Sequence, residues 1–493
     1  MLRLLLGTDW TANRDEILCR ISRDVAARKG GRILLVPELI SHETERRLCA
    51  AAGDTASRYA EVLSFTRLAR RVSDEVGGAM DCLDAGGRVV AMAAAAGQLT
   101  SKLKAYAAVE TRPEFLTGLI DAVDEFKRCC ISSEDLLNAA RSTEGSFSQK
   151  LEELALLMET YDTICARGKR DPRDQETQLL EQLEICDFGE RHRFYIDGFP
   201  DFTRQHLAIL EHLIRVAPEV TVSLNCGSPN SSLLAFEKAG STAAEILKRA
   251  RAAGVEVRIE IVNPVEKALR PVCETLFQGP ISEGEAAGCL RAIRAGSPYQ
   301  ECMAAAGRIM ELVRNGCRYR DITLVCTDMG VYRPLTELVF HRFGIPVYMA
   351  GTEDILQKSV VTTVLNGLEA SLSGFEQRAV LRYLRSALSP LEPDLCDQVE
   401  NYAIIWAIRG QKWTTQWVNH PEGLSVQWTE GAERRLKLLE DARQRAIAPL
   451  NRLRGAFQSA KTLREQVLGL YVFLEDIRLE QRLNRMAGGM DAS

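Results

Sequence analysis

The chain opens on an apolar run, Leu2, Leu4, Leu5 and Leu6, followed by turn residues from Gly7 to Asn13. From Arg14 to Arg28 the apolar residues Ile17, Leu18, Ile21 and Val25 recur at helical spacing and share one face. Gly30–Gly31 stops that helix, and Ile33–Val36, closed by Pro37, reads as a short buried strand. A strand, a helix and a strand at this spacing predict a βαβ unit and a parallel sheet. A second helical pattern starts near Ser41 and leads to an apolar stretch at Val62–Phe65. From about residue 81 to about 190 the chain is rich in Ala, Leu, Glu and Lys, with helical patterns at Glu114–Cys129 and Ser148–Ala166. That stretch predicts a helical insertion. Sheet signals return at Phe194–Ile196, Val220–Leu224 and Val255–Ile261.

A second cycle starts near Cys289, joined to the first through the turn-rich Asn263–Glu285 region. Strand-like runs at Arg291–Ala295, Ile322–Cys326 and Ile345–Met349 alternate with helical patterns at Glu301–Val313 and Pro334–Phe343. Beyond about Ser359 the pattern is helical, with Trp406, Trp413, Trp417 and Trp428 in one stretch, where aromatics are expected to pack a core. Met486–Ser493 is small and polar and reads as an interdomain link or chain boundary. The expected organisation is α/β: two domains with parallel sheets. The first spans residues 1–280 with its insertion, the second 281–493 with a helical insertion from about 360.

Composition narrows the class. Of 493 residues, 46% are hydrophobic and 26% charged, which excludes collagen-like and wholly disordered chains. No long uncharged apolar run is present, so no membrane helix is expected. The 14 cysteines show no C-x-x-C and no zinc spacing, as expected for reduced, mostly buried thiols in a cytoplasm. Six histidines (His42, His192, His206, His212, His341, His420) form no metal-like spacing and suggest no catalytic constellation. A net charge of −5 gives no global attraction to nucleic acid, although a local basic groove is compatible with it.

Three segments carry candidate chemistry. Gly7-Thr8-Asp9-Trp10-Thr11-Ala12-Asn13-Arg14 sits where a phosphate loop joins a first strand to a first helix. Only Gly7 fits the pattern; Ala12, Asn13 and Arg14 replace the second Gly, the Lys and the Ser/Thr. No Lys reaches outer phosphates and no hydroxyl ligates Mg²⁺, so ATP hydrolysis there is not expected. Asp197, at the end of Phe194-Tyr195-Ile196, stands where a Walker-B acid holds Mg²⁺, but Gly198 takes the place of the second acid; a turn-capping role stays open. Leu63-Ser64-Phe65-Thr66-Arg67-Leu68-Ala69-Arg70-Arg71 places arginines at helical spacing beside an aromatic. That set suits phosphates and stacked bases, or equally a solvated helix face.

Val36-Pro37-Glu38, the arginine segment and Tyr195-Ile196-Asp197-Gly198-Phe199 with Phe202-Thr203 resemble the B subunit family of the bacterial AddAB (RexAB) helicase–nucleases. So do Cys317-Arg318-Tyr319-Arg320-Asp321-Ile322, Phe343-Gly344-Ile345-Pro346-Val347-Tyr348, and Glu400-Asn401-Tyr402 with Gly410-Gln411-Lys412-Trp413, in matching order along nearly the whole chain. The resemblance implies two RecA-like (P-loop NTPase-like) domains in the superfamily 1 helicase arrangement, each with a helical insertion. It implies a heterodimer with an A subunit that drives translocation, while the B half holds single- or double-stranded DNA and scans for the hotspot sequence Chi during double-strand break repair by recombination. A C-terminal nuclease domain with an iron–sulfur cluster would lie beyond this chain, so no cofactor is expected here, with ATP and Mg²⁺ left open.

Carried over residue by residue, the DNA-reading positions are Leu39, Ser41, Phe65, Arg67, Arg70 and Phe199, and the degenerate nucleotide positions are Gly7, Asn13, Arg14 and Asp197. Phe65, Arg67 and Phe199 match the family; Ser41 replaces Thr, Leu39 replaces Gln and Arg70 replaces Trp. The last two departures remove an amide that reads a base edge and a ring that stacks. Two other readings stand beside this one: an active DNA-dependent ATPase with a non-standard loop, and a scaffold that docks the motor subunit.

Overall fold

The computed structural model describes residues 1–78, 81–106, 112–231, 233–262, 290–349, 355–424 and 426–490. The expected joining region Asn263–Glu285 and the start of the second cycle at Cys289 lie outside the described residues. Two units are distinguished, Met1–Ile293 and Arg294–Ser493.

In the first unit the short apolar runs become six parallel strands: β1 (Leu2–Leu6), β2 (Arg32–Leu35), β3 (Ala60–Leu63), β4 (Arg193–Ile196), β5 (Val220–Leu224) and β6 (Val257–Ile261). They lie in the order β3-β2-β4-β5-β1-β6, with Leu4 level with Val222 of β5 and Ile259 of β6. Alternation along each strand sends side chains to opposite faces. Leu2, Leu4 and Leu6 enter one core with Phe194, Ile196 and Val222, while Leu5 enters the other with Leu34, Val36 and Tyr195. Both faces are covered over β1 to β5, as a parallel sheet requires, while the edge strand β6 keeps Arg258, Ile259 and Ile261 exposed. Helices α1 (Trp10–Ala26) and α2 (Ser41–Ala52) close the second face, and Ile17, Leu18, Ile21 and Val25 form the buried stripe.

Helix α3 (Phe65–Val76) follows β3, and α4 (Ala85–Leu99), α5 (Pro113–Arg128), α6 (Ser133–Arg141) and α7 (Ser146–Ala166) then build a core of their own around Met92, Leu119, Met158 and Tyr161. The chain returns through α8 (Gln175–Ile185), whose Leu179 and Leu183 belong to the sheet's core, and α9 (Phe188–Arg191). Helices α10 (Arg204–Val216) and α11 (Glu237–Ala252) complete the cover.

The first helix starts earlier than its apolar stripe predicts. Asp9 accepts hydrogen bonds from the Thr11 and Ala12 N–H groups and so caps the helix at Trp10. Only three residues separate β1 from the helix, and Asn13, read as a turn residue, lies on its first turn beside Arg14.

The second unit starts with α12 (Pro298–Arg314), capped by Ser297, and α13 (Met329–Arg342), capped by Asp328, packed through Ala306, Ile309, Val339 and Phe340. The strands expected at Arg291–Ala295, Ile322–Cys326 and Ile345–Met349 are not formed among the described residues. These runs have the strand composition without a ladder partner among the described residues, and Val325 and Tyr348 are 84% and 92% exposed. A parallel strand needs a neighbour for its N–H and C=O groups, and apolar composition alone does not supply one. Helices α14 (Ser359–Leu372), α15 (Gln377–Leu384), α16 (Pro393–Ile405), α17 (Glu430–Ser459), α18 (Leu463–Asp476) and α19 (Leu479–Met490) follow.

Their core holds Trp413, Trp417, Tyr383, Tyr402 and Phe473, so two of the four clustered tryptophans are buried packing residues. Glu440 ties this core together. Its carboxylate accepts from Arg443, from Gln444 and from the Trp417 N–H, while Arg443 also donates to the Trp413 carbonyl at 2.7 Å. Burial alone would raise the Glu440 carboxyl, but the Arg443 guanidinium and these donors outweigh it and hold it at about 2. The ionised form is the bound form, so its contribution is complete above the ordinary value of 4.5 and is lost as pH falls toward about 2. Tryptophan fluorescence of the acid-exposed protein should therefore report loosening of the second unit in that window. Glu440→Gln should be less stable at neutral pH and lose less on acidification; an unchanged acid transition in that variant would contradict this role.

Candidate DNA-binding site

All strands of the first sheet point the same way, so their C-terminal ends and following loops share one edge, where ligands bind in open α/β sheets. Gly7, Leu39, Phe65, Asp197 and Phe199 all lie just beyond strand ends. The edge has two parts of different chemistry.

The first part is where the sequence pattern places degenerate nucleotide positions, and the side chains there contact one another. The Asp9 carboxylate occupies the N–H groups at the start of α1, putting a negative charge where an anion would need to sit. Asn13 is 2% exposed and donates to the carbonyls of Gly7 (3.3 Å) and Leu224 (3.2 Å). Its side chain lies so close to Gly7 that a Cβ there would collide with it and with the Val262 carbonyl oxygen at 2.8 Å. Arg14 Nε meets Asp197 Oδ2 at 3.0 Å, both side chains being more than nine-tenths buried. The second Asp197 oxygen accepts from the Ser223 hydroxyl. The Arg14 guanidinium also lies 4.6 Å above the Trp10 ring. Among the described residues, Asp197 is thus held by a tethered cation and a hydroxyl.

The second part is an aromatic cluster. The Phe65 ring, 4% exposed, stacks on His206 at 4.1 Å with an interplanar angle of 11° and meets Phe199 edge-on at 5.5 Å. Phe199 stacks in turn on Phe202 at 5.2 Å. His206 Nε2 donates to the Glu176 carboxylate of α8 at 3.1 Å, which fixes the ring, and Thr203 caps α10 by accepting from the His206 N–H. Phe65 is enclosed, whereas Phe199 and Phe202 are partly buried. Gly198, with φ of +82°, turns the chain between Asp197 and Phe199, and a Cβ there would meet Ile40 at 2.8 Å.

Ser64 caps α3 by accepting from the Arg67 N–H at 3.2 Å and donates its own hydroxyl to Glu38. Arg67 is partly exposed and Arg70 exposed; neither forms an ion pair among the described residues. Arg71 is different: it pairs with Glu61 and Glu75 and covers Phe188. Leu39, 96% exposed, sits in a short turn beyond β2. Ser41 is buried with its hydroxyl donating to the Glu38 carbonyl at 2.9 Å. The edge therefore brings Phe65 and Phe199 into one cluster and leaves the Ser41 hydroxyl turned into its own turn. Phe202 and His206 complete that cluster; the spacing Phe199, Phe202, His206 across a helix cap was the available signal for both.

One group of acids, Asp162, Asp171 and Asp174, has the closeness of a cation site. Lys127 Nζ already sits among them, at 2.8, 3.1 and 2.6 Å. Burial would lower that ammonium; the carboxylates outweigh it and hold it above the usual lysine range. The group is a structural ion cluster.

A family model described as "ADDB, N-terminal" matches residues 4–272, more than half of the chain. Relatives named as the B subunit of an ATP-dependent helicase/deoxyribonuclease include those of Geobacillus kaustophilus, 28% identical over 100% of this chain and 45% of the relative, and Clostridium perfringens, 26% identical over 90% and 40%. The relative of Acetivibrio thermocellus is 26% identical over 92% of this chain and 41% of its own length. The chain thus spans less than half the length of these relatives. No helix among the described residues is long and apolar enough to cross a membrane.

Removing one member of a buried ion pair leaves the other uncompensated, at a cost of about 3–5 kcal/mol. Asp197→Ala should lower the stability of the first unit to urea by that order, and Asp197→Asn by less. An acid kept for a metal would behave oppositely: without metal its neutralisation relieves repulsion. An Asp197→Asn protein as stable as the parent would therefore refute the structural role.

Proposed function

The chain belongs to the AddB N-terminal family, and on that premise we propose that its first unit grips a DNA strand at the strand-end edge without hydrolysing ATP. One observation carries this reading: the ring cluster of Phe65, His206, Phe199 and Phe202 lies on the same edge as two arginines with no ion pair among the described residues. Rings offer stacking to any base, and guanidinium groups offer bidentate contacts to phosphates or base edges. Phe199 and Phe202 would stack, Phe65 and His206 brace them, and Arg67 and Arg70 meet the strand.

The filled nucleotide position supports the second half of the reading. Asp9 blocks the anion-binding amides, and Arg14 takes the cation's place on Asp197. The relatives' name carries both a helicase and a deoxyribonuclease activity. By extension, this chain would be the helicase-like part of such a subunit, paired with an A subunit in the cytoplasm and acting in double-strand break repair. Its second unit would be a RecA-like half. Leu39 and Arg70 depart from the family's reading positions, so any hotspot it scans for would differ from the usual one.

Labelled single-stranded oligonucleotides titrated at two salt concentrations test the reading. Binding should weaken as salt rises, with a slope of about −0.7 per phosphate contact. Arg67→Ala should weaken it by roughly tenfold, the worth of one charged hydrogen bond. No binding at low salt would refute the proposal. Magnesium-dependent, DNA-stimulated phosphate release should be absent, and Mg-ATP should leave the melting temperature unchanged. Phosphate release that disappears in Asp197→Asn would instead favour an active ATPase.

A further inference from the structure

A cavity of about 630 Å³ opens beside Phe202, between the end of α5 and the start of α10. Its basic lining is Arg128, Arg173 and Arg204. Arg173 is anchored on Asp124 at 2.8 Å, whereas Arg128 and Arg204 are exposed and form no ion pair among the described residues. Phe202 is shared: it lines this cavity and stacks on Phe199 of the strand-end cluster. The ring cluster and the cavity therefore meet at Phe202. Asp121 and Glu125 of α5 also line it, so the cavity does not attract anions by net charge; any anion must be placed by geometry.

We infer that this cavity is a backbone subsite for the same DNA strand, holding phosphates of the nucleotides next to those stacked on Phe199 and Phe202 through Arg128 and Arg204. The inference rests on the strand-end reading and extends it to the helical insertion. Three features select a nucleic acid strand over a free anion. The cavity adjoins an aromatic stacking face, its cations are two separate guanidinium groups, and its acids disfavour a compact polyanion between them. Guanidinium is the side chain that suits phosphate bidentately. Arg128 ends α5 and Arg204 begins α10, so both positions are fixed by helices.

Strand length is the readout. The 493-residue chain is titrated with oligothymidines of about 5 and about 15 nucleotides, a span covering typical single-strand site sizes. The double variant Arg128→Ala, Arg204→Ala should lose roughly tenfold in affinity for the longer strand. It should keep parental affinity for the shorter one, and its salt slope should fall by about 0.7 for each lost contact. Asp121→Asn should tighten the longer strand. Both arginines are exposed and unpaired among the described residues, so an unchanged melting temperature checks the fold. If the double variant binds the longer strand like the parent while Arg67→Ala weakens both lengths, the cavity is not a subsite and the strand-end reading survives. If Arg67→Ala changes nothing while the double variant weakens binding, the strand-end reading fails and the cavity stands as a phosphate site. If the parent binds neither length at low salt, both are overturned.

Discussion

A parallel sheet has no free face. Its strands must be buried on both sides, because each is a continuous apolar run whose side chains alternate between two cores. Leu4 and Leu5 show the constraint in adjacent residues: one enters the core beneath α10 and α11, the other the core beneath α1 and α2. Chemistry is thereby confined to the edge where the strands end. Every residue singled out in the first unit, from Gly7 to Phe199, is placed by that geometry, although some are separated by most of the unit's sequence.

Within that edge, the nucleotide position and the aromatic cluster are mechanically linked through β4. Asp197 ends the strand and Phe199 follows two residues later across Gly198. In a nucleotide-dependent protein the acid is held by a diffusible cation, so its surroundings change with occupancy. Here the cation is Arg14, covalently part of the chain, and its burial beside Trp10 keeps water from the pair. A tethered partner gives the turn that carries Phe199 a fixed support at the end of β4.

The sequence made most of the sheet legible because burial on both faces writes itself as short apolar runs, which the first five strands overlap; the edge strand β6 instead alternates apolar and charged residues and is largely exposed. The start of α1 was not legible from periodicity, since Asp9 acts through hydrogen bonds to N–H groups and leaves the apolar stripe untouched. The same limit applies to Asn13 and Arg14. Their fixed partners, the Gly7 and Leu224 carbonyls for Asn13 and Asp197 for Arg14, are distant in the chain or reached through a turn and leave no mark on periodicity. Phe65 was recognisable as an aromatic at a strand end, but its enclosure depends on His206 and Glu176, more than a hundred residues away in sequence. In the second unit the runs at Ile322–Cys326 and Ile345–Met349 have the right composition and no ladder among the described residues. Composition reports what a segment can bury, and pairing decides whether it becomes a strand.

The helical insertion is tied to the edge by charge. Lys127, one residue before Arg128, is held by Asp171 and Asp174, and Arg88 reaches Asp171 from α4 at 3.2 Å. Asp174 directly precedes α8, whose Glu176 fixes His206 against Phe65. A short path of buried and half-buried ion pairs and one carboxylate–imidazole bond therefore runs from the end of α5 to the ring cluster. Such pairs contribute little net stability once desolvation is counted, but they are intolerant of misplacement because each charge needs its partner. Their effect is positional: they fix the distance between the insertion and the sheet, and so the width of the cavity beside Phe202. An apolar contact at the same place would tolerate sliding; a lysine inside three carboxylates does not.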